Sequence, residues 1–230
     1  MGQDAEVIDV NGPSLLREFG LDPSAMERIS RFVSMVEQAP LNLTAWRGET
    51  LWRRGVRESL ALGALLPALP GKALDIGSGG GFPGMIVAVA HPTWQWTLLE
   101  ARERRARFLE KAANTLDLNN VEVVHARAET WVSEVADRRE AFDVVTLRAV
   151  APPAASLELG LPFMAIGGSL LLVQGHTGPR DLDDAASLLS RLGGQLSRWV
   201  CVDDNAMVAV VTKSAPTPPL YPRTPKKLGR

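Results

Sequence analysis

Residues 74 to 84 read LDIGSGGGFPG, and five of these eleven residues are glycine. No other stretch narrows the possible folds as much. Glycine loses more conformational freedom on folding than any other residue, so a cluster needs a reason. The usual reason is a ligand that the main chain must approach closely. An apolar run, KALDI, leads in, and Pro83 begins PGMIVAVAH in a position that a first helical turn accepts. Strand, glycine loop and helix together open an α/β unit.

The remaining chain repeats that alternation. WQWTLLEA, VEVVHARA, FDVVTLRAV and GGSLLLVQG read as strands, with helices over 102–117, 153–165 and 180–192. LSRWVCV and MVAVVTK follow across a short polar turn around Asp203 to Asn205, which predicts a hairpin. The expected fold is α/β and Rossmann-like, with a seven-stranded, mostly parallel sheet and one antiparallel edge strand. Helices precede the first strand. Residues 24–39 place Met26, Ile29, Phe32, Val33 and Val36 on one face, and Ser24 with Glu27 reads as a capping box. A second helix covers about 48–66. The expected organisation is a helical cap over 1–70 packed on a catalytic domain over 71–214, with a Pro-rich basic tail over 215–230.

Composition excludes several classes. The single cysteine, Cys201, rules out a disulfide framework, and His91, His125 and His176 are scattered, so no metal centre is expected. No run of 18 apolar residues exists and the acidic N-terminus lacks a signal pattern. A soluble, cytoplasmic monomer is expected. With a net charge of −1, any nucleic-acid contact must rest on local patches. AWRGETLWRRGVR supplies Arg53, Arg54 and Arg57, and the tail supplies Arg223, Lys226 and Lys227. The alternative for each patch is a solvated surface.

Gly79, Gly81 and Gly84 satisfy G-x-G-x-x-G, and Glu100 closes the next strand about 20 residues on, where a ribose-binding carboxylate belongs. The pattern calls for a nucleoside. A dinucleotide lays its pyrophosphate on the helix N-terminus and needs free N–H groups there. Pro83 removes one. Asp75, aimed into the loop, would repel a pyrophosphate, yet it can meet the ammonium of an amino-acid moiety, directly or through water. S-adenosylmethionine has that moiety and no phosphate, so Asp75, Gly77 and Gly79 favour it over NAD. Ala128 and Glu129, after the third strand, offer an amide and a carboxylate to the adenine edge.

The acceptor is narrowed by elimination. Pyrimidine C5 methylation needs a cysteine near the site, and Cys201 lies on a late strand. No acidic cluster stands out for Mg²⁺. After the fourth strand the chain reads LRAVAPPA, with Arg148 where exocyclic-amine methyltransferases typically show [DN]-P-P-[YFW]. A ring nitrogen such as guanine N7 needs no general base, only alignment in a dry site. Arg148 is then the candidate catalytic residue, holding a phosphate or guanine O6. The bland alternative is an ion pair with an acid such as Asp143.

LDIGSGGGFPG, LLEARERRARFLEKAA, HARAE and FDVVTLRAVA together resemble the RsmG (GidB) family, over roughly residues 40 to 227. The resemblance implies a class I methyltransferase fold and methylation of guanine N7 in 16S ribosomal RNA, in the loop near the decoding centre. It implies 16S RNA or the small ribosomal subunit as partner, and S-adenosylmethionine contacts at Gly77, Phe82, Ala128, Glu129 and Arg148. Asp75 and Glu100 fall where class I enzymes place their carboxylates. The basic helix carrying Arg102, Arg104, Arg105, Arg107 and Lys111 is similar to the family's own. Departures occur at Gly55, Glu58 and Gln174, where the family usually has His, Asp and Lys. Two other readings remain: a small-molecule methyltransferase, or a cofactor-binding homologue without catalysis.

Overall fold

The computed structural model describes residues 13–134, 136–175, 177–203 and 206–223. Lys226, Lys227 and His176 lie outside them. The first helices are α1 (Pro13–Glu18) and α2 (Pro23–Gln38). Pro23 has no N–H to offer, and Asp22 caps α2 by accepting from the Ala25 amide at 2.9 Å. That replaces the expected Ser24–Glu27 capping box. α2 buries Ile29, Phe32, Val33 and Val36, as its period predicts.

The expected helix over 48–66 is not uniform. It runs as α3 (Gly48–Thr50), a π-helical segment (Leu51–Arg57) and α4 (Glu58–Gly63). π turns are rare and tend to occur at functional sites. Here the wider turn fits around a close approach. A Cβ on Gly55 would lie 3.0 Å from both Leu51 Cδ1 and Phe82 Cε1. The Ser59 hydroxyl donates to the Gly55 carbonyl and ties the segment off.

The α/β part then alternates: β1 (Lys72–Ile76), α5 (Gly84–Ala90), β2 (Gln95–Glu100), α6 (Glu103–Thr115), β3 (Val121–His125), α7 (Ala128–Glu134), β4 (Phe142–Arg148), α8 (Pro153–Gly160) and β5 (Met164–Gln174). The helix expected over 180–192 is broken at Ala185 into α9 (Gly178–Asp184) and α10 (Ala186–Arg191). β6 (Gly194–Asp203) and β7 (Ala206–Lys213) close the fold as the expected hairpin. The sheet order is β3-β2-β1-β4-β5-β7-β6, seven strands, with β7 antiparallel to both of its neighbours. The order turns outward from β1 toward β2 on one side and β4 on the other. Such a switch point opens a crevice beyond the strands' carboxyl ends.

Two cores sandwich the sheet. One joins α1, α2, the π segment and α4 to α5 and α6, and the other joins α7, α8 and α10. The cap therefore shares its core with the sheet. The start of the tail is also packed: Arg139 donates to the carbonyls of Thr217, Pro218 and Tyr221 at 2.9–3.0 Å. No helix among the described residues is long and apolar enough to cross a membrane.

Gly84 seats α5 against β1 and β2. A Cβ there would lie 2.6 Å from Asp75 Oδ2 and also strike Leu98. Gly84→Ala is expected to lower stability by about 1–3 kcal/mol, the usual cost of overpacking. Urea denaturation with an unchanged m-value would check it.

Candidate active site

The glycine loop takes its shape from its own backbone. Gly77, Gly79 and Gly81 have φ of 71°, 55° and 91°, a region closed to most side chains. Around the loop lies a crevice of about 300 Å³ beyond β1, β2, β3 and β4. Gly77, Glu100, Arg105, Ala128 and Glu129 all line it. These came from three separate stretches of sequence, and the fold brings them to one rim.

Glu100 is buried and holds the rim together. Its oxygens accept from the Gly79 amide at 2.8 Å and the Arg102 amide at 2.7 Å. Each oxygen keeps a second lone pair, so the carboxylate can still take ribose hydroxyls. Glu129 opens α7 and accepts from Arg127 Nε at 2.9 Å.

Asp75 does not face the crevice as expected. It is 1% exposed, accepting from the Thr146 hydroxyl at 2.6 Å and the Gly84 amide at 3.2 Å. Its carboxylate braces β1, β4 and the start of α5 from inside. Phe82 also lies off the crevice, packing at a tilt against Phe32 of α2 with centroids 5.5 Å apart. Both residues support the loop from behind instead of lining the cofactor crevice.

A second hollow of about 260 Å³ adjoins the first and shares Ala149 with it. Arg54, Glu58, Arg148 and Gln174 line it. Arg148 belongs to this hollow and not to the rim of the crevice. Its guanidinium pairs with Glu58, 90 positions away, and lies over the Trp46 ring at 4.6 Å. The anticipated partner Asp143 instead accepts from the Lys72 amide at 2.8 Å. Glu58 is 4% exposed, and that burial holds its carboxyl above the usual range, with Arg148 opposing the shift. Ala149, with φ of 52°, turns the chain between the two hollows. Neither the Glu58–Arg148 pair nor the Trp46 stack has any sequence signal, because the partners lie on distant elements. Gly55 and Glu58, two of the departures noted in the sequence, thus have structural work: one admits Phe82 and the other holds Arg148.

The expected RNA-binding cations do not form one patch. Arg53 bridges to Asp203 at 3.2 Å, tying the cap to the edge hairpin. Arg54 lines the second hollow, and Arg57 is half-buried on the same π segment. Arg105 donates to the Asn42 carbonyl at 3.1 Å at the crevice. Arg223 Nε donates to the buried Glu158 carboxylate at 2.8 Å.

The family model described as GidB, rRNA small subunit methyltransferase G, matches residues 25–208. The chain is 35% identical over 220 residues to the ribosomal RNA small subunit methyltransferase G of Leuconostoc citreum, across 90% of this chain and 92% of that protein. It is 38% identical over 187 residues to the protein of the same name from Chloroflexus aggregans, across 79% and 78%. The chain belongs to the rRNA small subunit methyltransferase G family. A SAM-dependent O-methyltransferase from Thermotoga maritima shares the fold, with a TM-score of 0.56 at 15% identity over 81% of this chain and 72% of that one. As a member of the methyltransferase G family, the protein is an rRNA methyltransferase and its cofactor is S-adenosylmethionine. Buried Glu100 and Glu129 line that crevice together with Gly77 and Ala128.

Burial pushes the Asp75 carboxyl up to about 6 from 3.8 for a free side chain, while the Thr146 and Gly84 hydrogen bonds act the other way. The folded protein therefore binds this proton more tightly than the unfolded chain does. Its contribution to stability is greatest below about pH 4 and is lost as pH rises through about 6. Asp75→Asn should flatten that part of a pH-dependent denaturation profile relative to wild type. Glu100→Ala should raise the S-adenosylmethionine Kd roughly 10- to 100-fold, the loss of hydrogen bonds to a charged group. Calorimetric titration would measure it.

Proposed function

We propose that this enzyme methylates guanine N7 in 16S ribosomal RNA, in the loop near the decoding centre, acting in the cytoplasm as a monomer. The observation that carries the reading is the pair of hollows meeting at Ala149, one suited to the cofactor and one floored by Arg148, Glu58 and Gln174. Membership of the methyltransferase G family supports the RNA substrate.

The residues divide the work as follows. Glu100, Ala128 and Glu129 would hold the nucleoside part of S-adenosylmethionine, and the backbone at Gly77 its amino-acid part. The cofactor supplies an electrophilic methyl on a sulfonium. A base in the second hollow presents a ring nitrogen that carries no proton, so no general base is required. This agrees with the lack of a histidine or cysteine lining either hollow among the described residues. Catalysis then rests on alignment and exclusion of water. Arg148 is fixed by Glu58 and Trp46, so its guanidinium is already oriented when the substrate arrives. A hydrogen bond from it to O6 or to a phosphate would fix the base without blocking N7. The N7 edge lies in the narrow major groove of A-form RNA, so the target must be an unpaired or splayed guanine.

The test is to incubate enzyme and labelled S-adenosylmethionine with small subunits, or deproteinised 16S RNA, lacking the modification. N7-methylguanosine is then mapped by borohydride reduction and aniline cleavage. A single strong stop in the decoding-region loop is the expected result. Label that enters RNA elsewhere, or at another atom, would overturn the assignment. Arg148→Ala should cut kcat/KM by about 100-fold or more, as for loss of a charged positioning group, while S-adenosylmethionine still binds.

A further inference from the structure

A further hollow near the active site belongs to neither the cofactor nor the base. It is a groove of about 630 Å³ between α2, the segment after it and α6. Arg31 contributes from α2, and Arg104, Arg107 and Lys111 contribute from one face of α6, with no acid among the lining residues. All four cations are exposed. Arg107 pairs with Glu103 at 2.6 Å on the open surface, which fixes it only weakly. Arg31, Arg104 and Lys111 have no ion-pair partner among the described residues. The floor is apolar: Met35, Leu41 and Phe108 are each half-buried there.

A chain with net charge −1 has no general excess of cations to spread over its surface. Four on one groove, over a partly exposed aromatic, is the arrangement that tracks a nucleic-acid backbone and stacks a base. The groove starts beside the cofactor crevice, since Arg105 of the same helix lines that crevice. From Arg104 to Lys111 is two helical turns, about 10 Å. The crevice lies between this groove on the β2–β3 side and the base hollow at the ends of β4 and β5.

We infer that the α2–α6 groove is a second RNA-binding surface, holding an unpaired stretch of the substrate RNA by its phosphates while the target guanine occupies the hollow at Arg148. This rests on RNA being the substrate. Because the groove's cations would meet phosphates, they supply affinity and orientation and carry no base specificity.

The test compares wild type with a triple variant, R31Q/R104Q/K111Q, and with a control, R180Q/R191Q/R198Q, that removes as many exposed cations at the opposite end of the sheet. Binding to deproteinised 16S RNA and to assembled subunits is measured against salt. S-adenosylmethionine affinity and thermal melting report that each variant is folded. The groove variant should raise the RNA Kd and KM roughly tenfold and make the salt dependence shallower by about 2 log units per log unit of salt, near 0.7 for each phosphate no longer neutralised. The control should change RNA Kd less than about twofold. Equal losses in both variants would mean net charge alone is at work and would overturn the inference, as would an unchanged Kd and slope. A loss on assembled subunits with no loss on free RNA would assign the groove to an acidic ribosomal protein segment and overturn the RNA assignment. If wild type neither binds nor methylates RNA, the substrate reading itself fails, which is a different result from any of these.

Discussion

One buried carboxylate organises the active end of this protein. Asp75 lies near the end of β1, buried inside the fold, where it accepts from the Thr146 hydroxyl of β4 and the Gly84 amide at the start of α5. Three elements are thereby fixed around one side chain. The glycine loop between them can then take its left-handed conformations without drifting, and the crevice keeps its shape. A charge this deep costs free energy unless it is well hydrogen-bonded, and its carboxyl is pushed up to about 6 by that burial. The position trades stability near neutral pH for a rigid loop.

The cap is part of the site and not merely a cover. Its π segment admits Phe82 beside Gly55, and Phe82 in turn packs against Phe32. Two ion pairs from the same stretch then reach the strand ends, Arg53 to Asp203 and Glu58 to Arg148. Arg54 and Glu58, four residues apart and so on one face of the helical stretch, both line the hollow beside Arg148. With Trp46 over its guanidinium, Arg148 is held on two sides by the cap. A methyl transfer that depends on alignment and not on proton transfer gains most from such fixed groups.

Charge is divided by place. Cations near the chemistry are mostly engaged by carboxylates or carbonyls, which orients them and removes much of their reach. Three exposed cations without ion-pair partners, Arg31, Arg104 and Lys111, line the α2–α6 groove with no acid beside them in its lining. A nearly neutral protein can in this way still present a basic path to RNA, because screening confines electrostatic attraction to about a Debye length.

The alternation of periods determined the α/β class, the hairpin and the helical cap, because these depend on local backbone preferences and on which face of each element is apolar. The glycine loop followed by Glu100 pointed to a nucleoside, because backbone access and a carboxylate at a strand end leave a local imprint, whereas Asp75, whose place in the pattern favoured S-adenosylmethionine over NAD, lies inside the fold and off the crevice. Tertiary structure decided the rest. It turned Asp75 and Phe82 away from the crevice, since packing between β1, β4, α5 and α2 is not encoded in spacing. It chose Glu58 over Asp143 as the partner of Arg148. It also sorted the arginines into bridges, rim and groove. Each of those choices is a contact between elements far apart in the chain, and a side chain's partner is set by where the elements come to rest.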